Sequence, residues 1–580
     1  MQFTLKIITG VEVWTLLEDE FFLSSWLELA KKDRKVTVSQ EPPFVIPWYK
    51  QYTSTYVPIL CLAYDKKGAL AGLMPLAKNI NDDTLTHAGA GEAEYHGWIA
   101  HPEIDEDFPA ECLIKLKNTS NIKTWQWRWL GPKTPVKWLS SQLLTNEGIY
   151  VRLRTQASPL WDLSDKAKYE KILKNRALRS KVNRYKRKGP YYIERITDKE
   201  RTRELIDILR IQFDFRREAV NNVRPFGDDP NKASFYIERQ NYPDNNHFTV
   251  LWSDHRPIAF HFGACDHDTL YLGLSSYDPV ESKNSPGTLL LIELGKMLFE
   301  AGYRYLDLTP GGDQYKERFA NAYQKLVEPK FYFNKQEKIK DDIIHQIKFI
   351  AKNILSHVTT DPHRIRDLPI NLRVVKRMTP TKVFRRIIRL IYDNPTYLLY
   401  RLLTETVEIS SVRDPEINVQ KYADLLVYTE SNPWTTRRDL LSEALKRFSA
   451  GETLYSIIKK GILVHYGWMT NGGEEHRFTE VDMTFNSPPA SIILYDFYTE
   501  PQFRRQGLYQ RNMKQMILDA CEMGAKEIYI GVRPDNLVSR RTIEKVGFFL
   551  FRTFSKKRFL WICKKKSNIS AFHYASNARD

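Results

Sequence analysis

Apolar and polar positions change period several times along the last hundred residues. Ser491 to Thr499 crowds Ile, Tyr and Phe into a short run that reads as a strand, and Pro501 stops it. From Leu508 to about Met523 the apolar residues Leu508, Met513, Met516, Ile517 and Cys521 recur near helical spacing. Gly524 ends that helix, because a C-terminal turn often needs positive φ. Ile528 to Val532 reads as a second strand. Asn536 opens a turn, and Ser539 to Val546 is a short helix closed by Gly547. Upstream, KYADLLVYTES from near Asn418 reads as a first strand, TTRRDLLSEALKRFSAG as a helix starting at Thr435 or Thr436, and GILVHYGWMT as a strand.

The alternation of periods also marks the first 335 residues. Leu60 to Asn79 predicts a β-hairpin turning at Asp65 to Gly68, and Trp125 to Gly131 a half-buried strand. Lys166 to Gly189 predicts one helix. Three strands follow near 247–252, 257–264 and 269–276. A helix from Thr288 to Ala301 has Pro286 and Gly287 in its first turn, with Ser285 or Asn284 as its cap. Tyr303 to Leu308 is a strand leading into another loop and helix. Between 336 and 405 two amphipathic stretches, broken by Pro362, Pro369, Pro380 and Pro395, predict short connecting helices.

A chain of 580 residues with 42% hydrophobic and 13% aromatic content can bury a large core and should hold several domains. The net charge of +17 is concentrated in two places. Lys166 to Lys188 carries eleven Lys/Arg against one Glu, and 336–403 carries fourteen against six Asp/Glu. Each is either a solvated helix face or a surface for something anionic: lipid, RNA or CoA phosphates. Aromatics do not interleave with these charges as in a single-strand stacking platform, so nucleic acid is not favoured. Five scattered cysteines make no CxxC pair, and His87 and His96 lack metal spacing, so neither disulfides nor a metal are expected. The acid-interrupted start is no signal peptide, and no apolar run reaches about 18 residues. The expectation is a cytoplasmic protein with peripheral contact to the inner face of an anionic membrane through 336–405. Neither a Gly-Lys-Ser/Thr loop nor Rossmann spacing is found.

The turn Arg504-Arg505-Gln506-Gly507 stands before the Leu508 helix. A glycine there allows close backbone approach, and a helix N-terminus offers unpaired N–H groups and a positive dipole end. Such a turn suits a pyrophosphate. Together with the order of elements, Pro501, Arg504, Gly507, Asn536, Ser539, Glu544, Lys545, Gly547 and Phe548 resemble the GNAT family of acyl-CoA-dependent N-acyltransferases. The resemblance implies an acyl-CoA, acetyl-CoA first, lying along the 491–499 strand with its pyrophosphate on the amides around Gln506 to Tyr509. The CoA-binding residues implied are Thr499, Arg504, Arg505, Gln506, Gly507, Leu508, Tyr509, Asn536 and Ser539. Two positions depart from the pattern. Tyr509 replaces a small residue, and Ile543 stands where many members carry the tyrosine that protonates the CoA thiolate.

Residues 20 to 330 resemble the CelD-like acetyltransferases, a GNAT branch with two such folds in tandem. The matching features are EPPF with Trp48, Met74-Pro75-Leu76, Ser180-x-x-Asn183-Arg184, Ser285-Pro286-Gly287, and Asp307-Leu308 with Gly312, Tyr315 and Lys316. This resemblance adds Ser285 and Gly287 as CoA-binding candidates. The fold expected is α/β with mixed sheets in three GNAT-like lobes. These span 1–165, 166–335 and 406–567, with a connector at 336–405 and a tail at 568–580. The activity implied is acyl transfer to an amine on a small molecule or glycan, such as an amino sugar or envelope polysaccharide precursor. Related tandem folds use aminoacyl-tRNA, and a lobe that binds CoA or lipid without turnover is a further reading.

An amine acceptor must lose a proton, which calls for a base near the acyl carbon. Strict alternation places Asp496 and Glu500 on one strand face with Tyr498 between them, and Tyr495, Phe497 and Thr499 on the other. Asp496 is the first candidate base, and a salt-bridged strand residue is its plain reading. Asp307, Tyr315 and Lys316 are the candidates in the second lobe, read equally well as a cap and packed helix residues.

Overall fold

The computed structural model describes residues 1–33, 35–119, 122–311, 313–358, 392–407, 412–432, 435–473, 475–559 and 562–569. Gly312, most of the connector's proline-broken part (359–391) and the end of the tail lie outside the described residues. The chain divides into two compact units. The first holds Met1–Asp214, Val223–Asp278 and Asn284–Val358, and the second Phe215–Asn222, Pro279–Lys283 and Thr359–Asp580.

The described strands of the first unit form a five-stranded, a four-stranded and a seven-stranded sheet. The expected hairpin forms as Tyr56–Asp65 and Leu70–Asn79, and Asp65 Oδ1 accepts from the Lys67 and Ala69 amides in its turn. The four-stranded sheet runs Tyr191–Ile196, Asn246–Ser253, Arg256–Ala264, Leu274–Tyr277, all antiparallel. The seven-stranded sheet is mixed, and its longest pairing joins Tyr150–Asp162 to Ala322–Tyr332. These strands lie on opposite sides of the expected 165/166 boundary, so the first two lobes share a sheet. The reason is hydrogen bonding at long range: a strand of 13 residues needs a partner of similar length, and the chain supplies it 160 residues later.

Three local expectations change. The strand expected near 269–276 is two strands, Thr269–Tyr271 in the seven-stranded sheet and Leu274–Tyr277 in the four-stranded one. The chain switches sheets at Leu272 and Gly273, where a Cβ on Gly273 would stand 2.5 Å from the Phe262 carbonyl oxygen. The basic helix is two, Lys166–Leu173 and Arg176–Lys188, broken where the Asn175 side chain accepts from the Ala177 amide. Asn is a strong N-cap, so a new helix starts there. Pro286 opens the helix Pro286–Glu300, and Ser285 precedes it in a left-handed conformation (φ 62°) without capping it by its side chain.

The second unit is built on a nine-stranded sheet. Its central order is Phe549–Phe559, Thr396–Leu403, Glu527–Val532, Ser491–Thr499, Ile462–Asn471, Thr453–Lys459. Only the 491–499 and 527–532 strands pair in parallel within this order. Thr396–Leu403 was expected in the helical connector and is instead a central strand. Leu398, Leu399, Tyr400 and Leu402 are all buried, so both of its faces are apolar, and such a run has no period to tell strand from helix. The KYADLLVYTES stretch, 421–431, forms no strand: the short strand Ile417–Val419 lies before it, and Tyr422–Val427 is a 3-10 turn. The helices Arg437–Ala450, Leu508–Glu522 and Leu537–Lys545 and the strands beside them stand where the pattern placed them.

Gly295 sits inside the Pro286–Glu300 helix, where alanine would ordinarily be favoured. A Cβ there would meet the Trp161 indole at 2.4 Å. Gly295→Ala should therefore destabilise the first unit by ~1–3 kcal/mol, the usual cost of overpacking, read by tryptophan-fluorescence unfolding. A stability gain would show that Trp161 can move aside.

Candidate active site

The 491–499 and 527–532 strands pair from Ser491↔Glu527 to Leu494↔Ile530 and then part. The first strand runs on to Thr499 with its other edge still on Ile462–Asn471. A fork therefore opens toward the carboxyl ends of the parallel pair. The helix Leu508–Glu522 begins beside it, preceded by Gly507 at φ 73° with no side-chain cap. A Cβ on Gly507 would meet nothing within 4 Å. Arg504, Arg505 and Gln506 are exposed, Arg505 is itself left-handed (φ 64°), and the Arg504 Nε donates to the Thr499 carbonyl. The site thus has open space, cations and an uncapped helix N-terminus in one turn. Leu508 itself is buried in the core, so its contribution is its amide.

A β-bulge distorts the strand beside this turn. Tyr466 pairs with Tyr498 and Trp468 with Tyr495, so Asp496 and Phe497 stand opposite Gly467 alone. Asp496 has φ 48°. The extra residue reverses the alternation beyond it. Phe497 and Tyr509 pack on the helix-side core, their rings 4.8 Å apart, while Tyr495 and Tyr498 pack on the opposite core. The expected grouping of Asp496 with Tyr498 and Glu500 on one face is therefore corrected. Asp496 is half-exposed and bound to Arg447 at 2.6 Å, whose guanidinium lies 5.0 Å from both the Trp468 and Tyr495 rings. Its plain reading, a salt-bridged strand residue, matches that contact.

Tyr498 and Glu500 do come together. The buried Glu500 carboxylate accepts from Tyr498 OH at 2.9 Å, Ser431 Oγ at 2.5 Å and Thr429 Oγ1 at 3.2 Å. Burial pushes the Tyr498 phenol well above its ordinary pKa, with the Glu500 carboxylate adding to it. Thr499 is engaged by His465, Nδ1 to Oγ1 at 2.8 Å. Burial holds His465 neutral, down to about 3, and its Nε2 and both amide atoms of the buried Asn512 have no partner. The Asn536 side chain caps the next helix by accepting from the Ser539 amide at 3.2 Å. Ile543 is fully buried in the core.

Sequence reasoning missed Tyr397. From the strand Thr396–Leu403 its ring covers Gly531, where a Cβ would meet the phenol oxygen at 2.3 Å. Gly531 follows the last paired residue, Ile530, so Tyr397 stands at the parting of the strands. Burial raises both the Tyr397 and Tyr509 phenols far above their ordinary range, and Tyr397 adds to the rise at Tyr509. No signal pointed to Tyr397 because its segment was read as connector.

In the first unit Asp307 is buried and accepts from Tyr95 OH (2.6 Å), Gln324 Nε2 (2.7 Å) and the Thr309 amide (2.8 Å). Lys316 is buried with its ammonium on the Thr309 carbonyl and hydroxyl, each at 3.1 Å, while Tyr315 packs beside the core. The space over Gly287 is filled by the Tyr277 ring, 3.1 Å from a Cβ built there. Ser285 makes no side-chain cap. The His87 and His96 rings lie 4.5 Å apart, tilted by 31°, in an aromatic cluster, and among the described residues no group of His, Cys, Asp and Glu could hold a metal. Glu41, unremarked in the sequence beyond EPPF, is pushed up to about 7 by burial and the Asp266 carboxylate.

A parallel strand pair that forks beside an uncapped, cation-flanked helix N-terminus is suited to an acyl donor carrying phosphates. Residues 447–548 match the Acetyltransferase (GNAT) family, and residues 174–317 match an Acetyltransferase (GNAT) domain. The chain carries two GNAT domains and is a transferase of the GNAT class, whose domains typically bind acyl-CoA. No curated protein matches it. Among solved structures it is distantly similar to a conserved protein of unknown function from Bacteroides thetaiotaomicron (14% identity, 53% of this chain and 97% of that one, TM-score 0.36). It is also distantly similar to FemX (10%, 53% and 95%, 0.40) and to a tandem GNAT protein from the clavulanic acid biosynthesis pathway (11%, 56% and 98%, 0.35). No helix among the described residues is long and apolar enough to cross a membrane.

Burial raises Asp307 from 3.8 to about 6, so the folded state holds its proton more tightly than the unfolded chain. The stability this contributes is complete below about pH 4 and is lost as pH rises through about 6. Asp307→Asn should flatten the pH dependence of unfolding in that window. An unchanged slope would place the raised proton elsewhere, Glu41 first.

Proposed function

We propose that the second unit transfers an acyl group, acetyl first, from acyl-CoA to an amine. The observation that carries this reading is the strand fork beside the uncapped Gly507 turn. The amides of Leu508, Tyr509 and Gln510 and the side chains of Arg504 and Arg505 take the pyrophosphate. Glu500 is the base: it takes the amine proton, directly or through water, while three hydroxyls orient its carboxylate. Asp496, engaged with Arg447, orders the bulge instead. Tyr397 supplies the proton for the departing thiolate, the role left open by Ile543. The acceptor class is a small-molecule or glycan amine such as an amino sugar or envelope polysaccharide precursor.

Acetyl-CoA titrated into the full chain should bind saturably, and Gly507→Trp, which fills the turn, should abolish that binding. No binding to the folded wild type sinks the acyl-CoA reading. Glu500→Gln and Tyr397→Phe should each lower kcat by about 100-fold with little change in acetyl-CoA affinity. Full activity of Tyr397→Phe with loss in Tyr509→Phe would move the acid to Tyr509. Binding without turnover, against any amine, would make this unit a CoA-binding module.

One observation favours a second reading for the first unit. Lys174, Arg176, Arg179, Lys186 and Arg187 line one groove with Ser180 and Asn183. An aminoacyl-tRNA donor, the donor that a FemAB-like reading implies, would lie on it and would bind with steep salt dependence. Salt-insensitive or absent tRNA binding excludes it.

The helix Lys335–Val358 leaves Ile339, Ile343, Ile347 and Ile350 exposed at turn spacing. We read this stripe as a peripheral contact with anionic lipid on the inner membrane face. Full chain should sediment with phosphatidylglycerol vesicles, and Ile343→Glu with Ile347→Glu should cut the bound fraction at least fivefold. Equal sedimentation of both proteins excludes the stripe.

A further inference from the structure

The first unit holds a buried cation that makes no ion pair by contact among the described residues, although the Glu92 carboxylate is near enough to favour its charge. Arg239, at the end of the helix Lys232–Arg239, is 3% exposed, and its Nε and Nη2 have no hydrogen-bond partner. Four rings surround the guanidinium, Phe44 at 5.1 Å, Tyr236 and Phe262 at 5.4 Å, and Phe235 at 5.6 Å. Ring faces favour the charge but accept no strong hydrogen bond, and a buried charge ordinarily comes with a partner. Other buried cations of this unit follow that rule. Lys232 is bound to Glu92, and Lys316 to Thr309. Burial works against the charge of Arg239.

Arg239 lines a cavity of about 50 Å³, whose wall also includes Glu92, Glu94, Tyr95, Gly263, Gly273 and Thr309. The fold creates this space. Gly263 and Gly273 lie where the chain switches between sheets, and a Cβ on either would strike backbone oxygen, at 2.1 Å from Tyr271 and 2.5 Å from Phe262. The two acids in the wall are already engaged, Glu92 by Lys232 and by Tyr236 OH at 2.9 Å, Glu94 by Arg128 at 3.1 Å. What is left over is one positive charge with two N–H groups along one edge of the guanidinium. That edge matches the two oxygens of a carboxylate. The volume suits a molecule of two or three carbons. A doubly charged phosphate would face both Glu92 and Glu94.

We propose that this cavity binds a small carboxylate-bearing molecule, its two oxygens on Nε and Nη2 of Arg239. The site adjoins the Asp307–Tyr95 hydrogen bond, since Tyr95 forms part of its wall. The inference is independent of acyl-CoA binding in the second unit.

Saturation-transfer NMR on the full chain tests it, with acetate and glycine as probes, acetamide as the neutral isostere, and inorganic phosphate as competitor at matched ionic strength. Acetate and glycine should give saturable signals, acetamide none, and phosphate should compete no better than chloride. Arg239→Gln should weaken acetate at least tenfold, and Arg239→Lys should retain part of the binding. Equal signals from acetamide and acetate, no saturable carboxylate signal, or unchanged binding by folded Arg239→Gln would overturn the site. Displacement of acetate by phosphate at lower concentration would overturn the carboxylate assignment. If Arg239→Gln does not fold, the acetate-to-acetamide comparison on the wild type decides alone.

Discussion

One inserted residue governs the second unit. Asp496 at φ 48° lets two residues of the 491–499 strand face Gly467 alone, and everything past it changes sides. Without the bulge, Tyr498 and Glu500 would point into the core under the Leu508 helix, and Phe497 would leave it. With it, a carboxylate ringed by hydroxyls forms next to the fork. Gly467 makes the bulge possible, since a Cβ there would stand 2.6 Å from the Phe497 ring. Arg447 then holds Asp496 from outside. The strand's parting from 527–532 after Leu494 and the meeting of Tyr498 with Glu500 both lie within four residues of this bulge.

The first unit is organised by charge kept out of water. Its seven- and four-stranded sheets exchange the chain at Gly273, and polar side chains gather beside that crossing. Asp307, Lys316, Glu92 and Lys232 are each satisfied by close partners, which is why they persist in a core. Arg239 is the exception, and its aromatic surround reduces the cost of the charge without removing it. Burial raises the proton affinity of the Asp307 and Glu41 carboxyls, so the unit's stability depends on pH.

The two units divide the work differently. The second has an open, cation-flanked turn at Gly507 and, at the end of the neighbouring strand, a carboxylate held by three hydroxyls. The first has a small enclosed space and a basic outer groove. A chain with two GNAT domains need not use both for the same chemistry.

The sequence by itself determined the elements whose period is strong. The 491–549 block follows its pattern because its helices carry their apolar residues at helical spacing, and its strands, buried on both faces at Ile492 to Leu494 and Ile528 to Ile530, are short apolar runs set off by Pro501 and Gly524. Gly507 and Asn536 were legible for the same reason: turns and caps are local. The bulge was not, because alternation at Tyr495 to Glu500 is satisfied by either parity, and only Gly467 on the partner strand selects one. Thr396–Leu403 was misread because a strand buried on both faces carries no period. Tyr397 and Arg239 became visible only in three dimensions. Each acts through neighbours distant in sequence, Gly531 and Tyr509 for one, Phe44 and Phe262 for the other. Period and capping are properties of consecutive residues. A fork, a shared sheet and an unpaired buried charge are properties of contacts, and tertiary structure alone decides them.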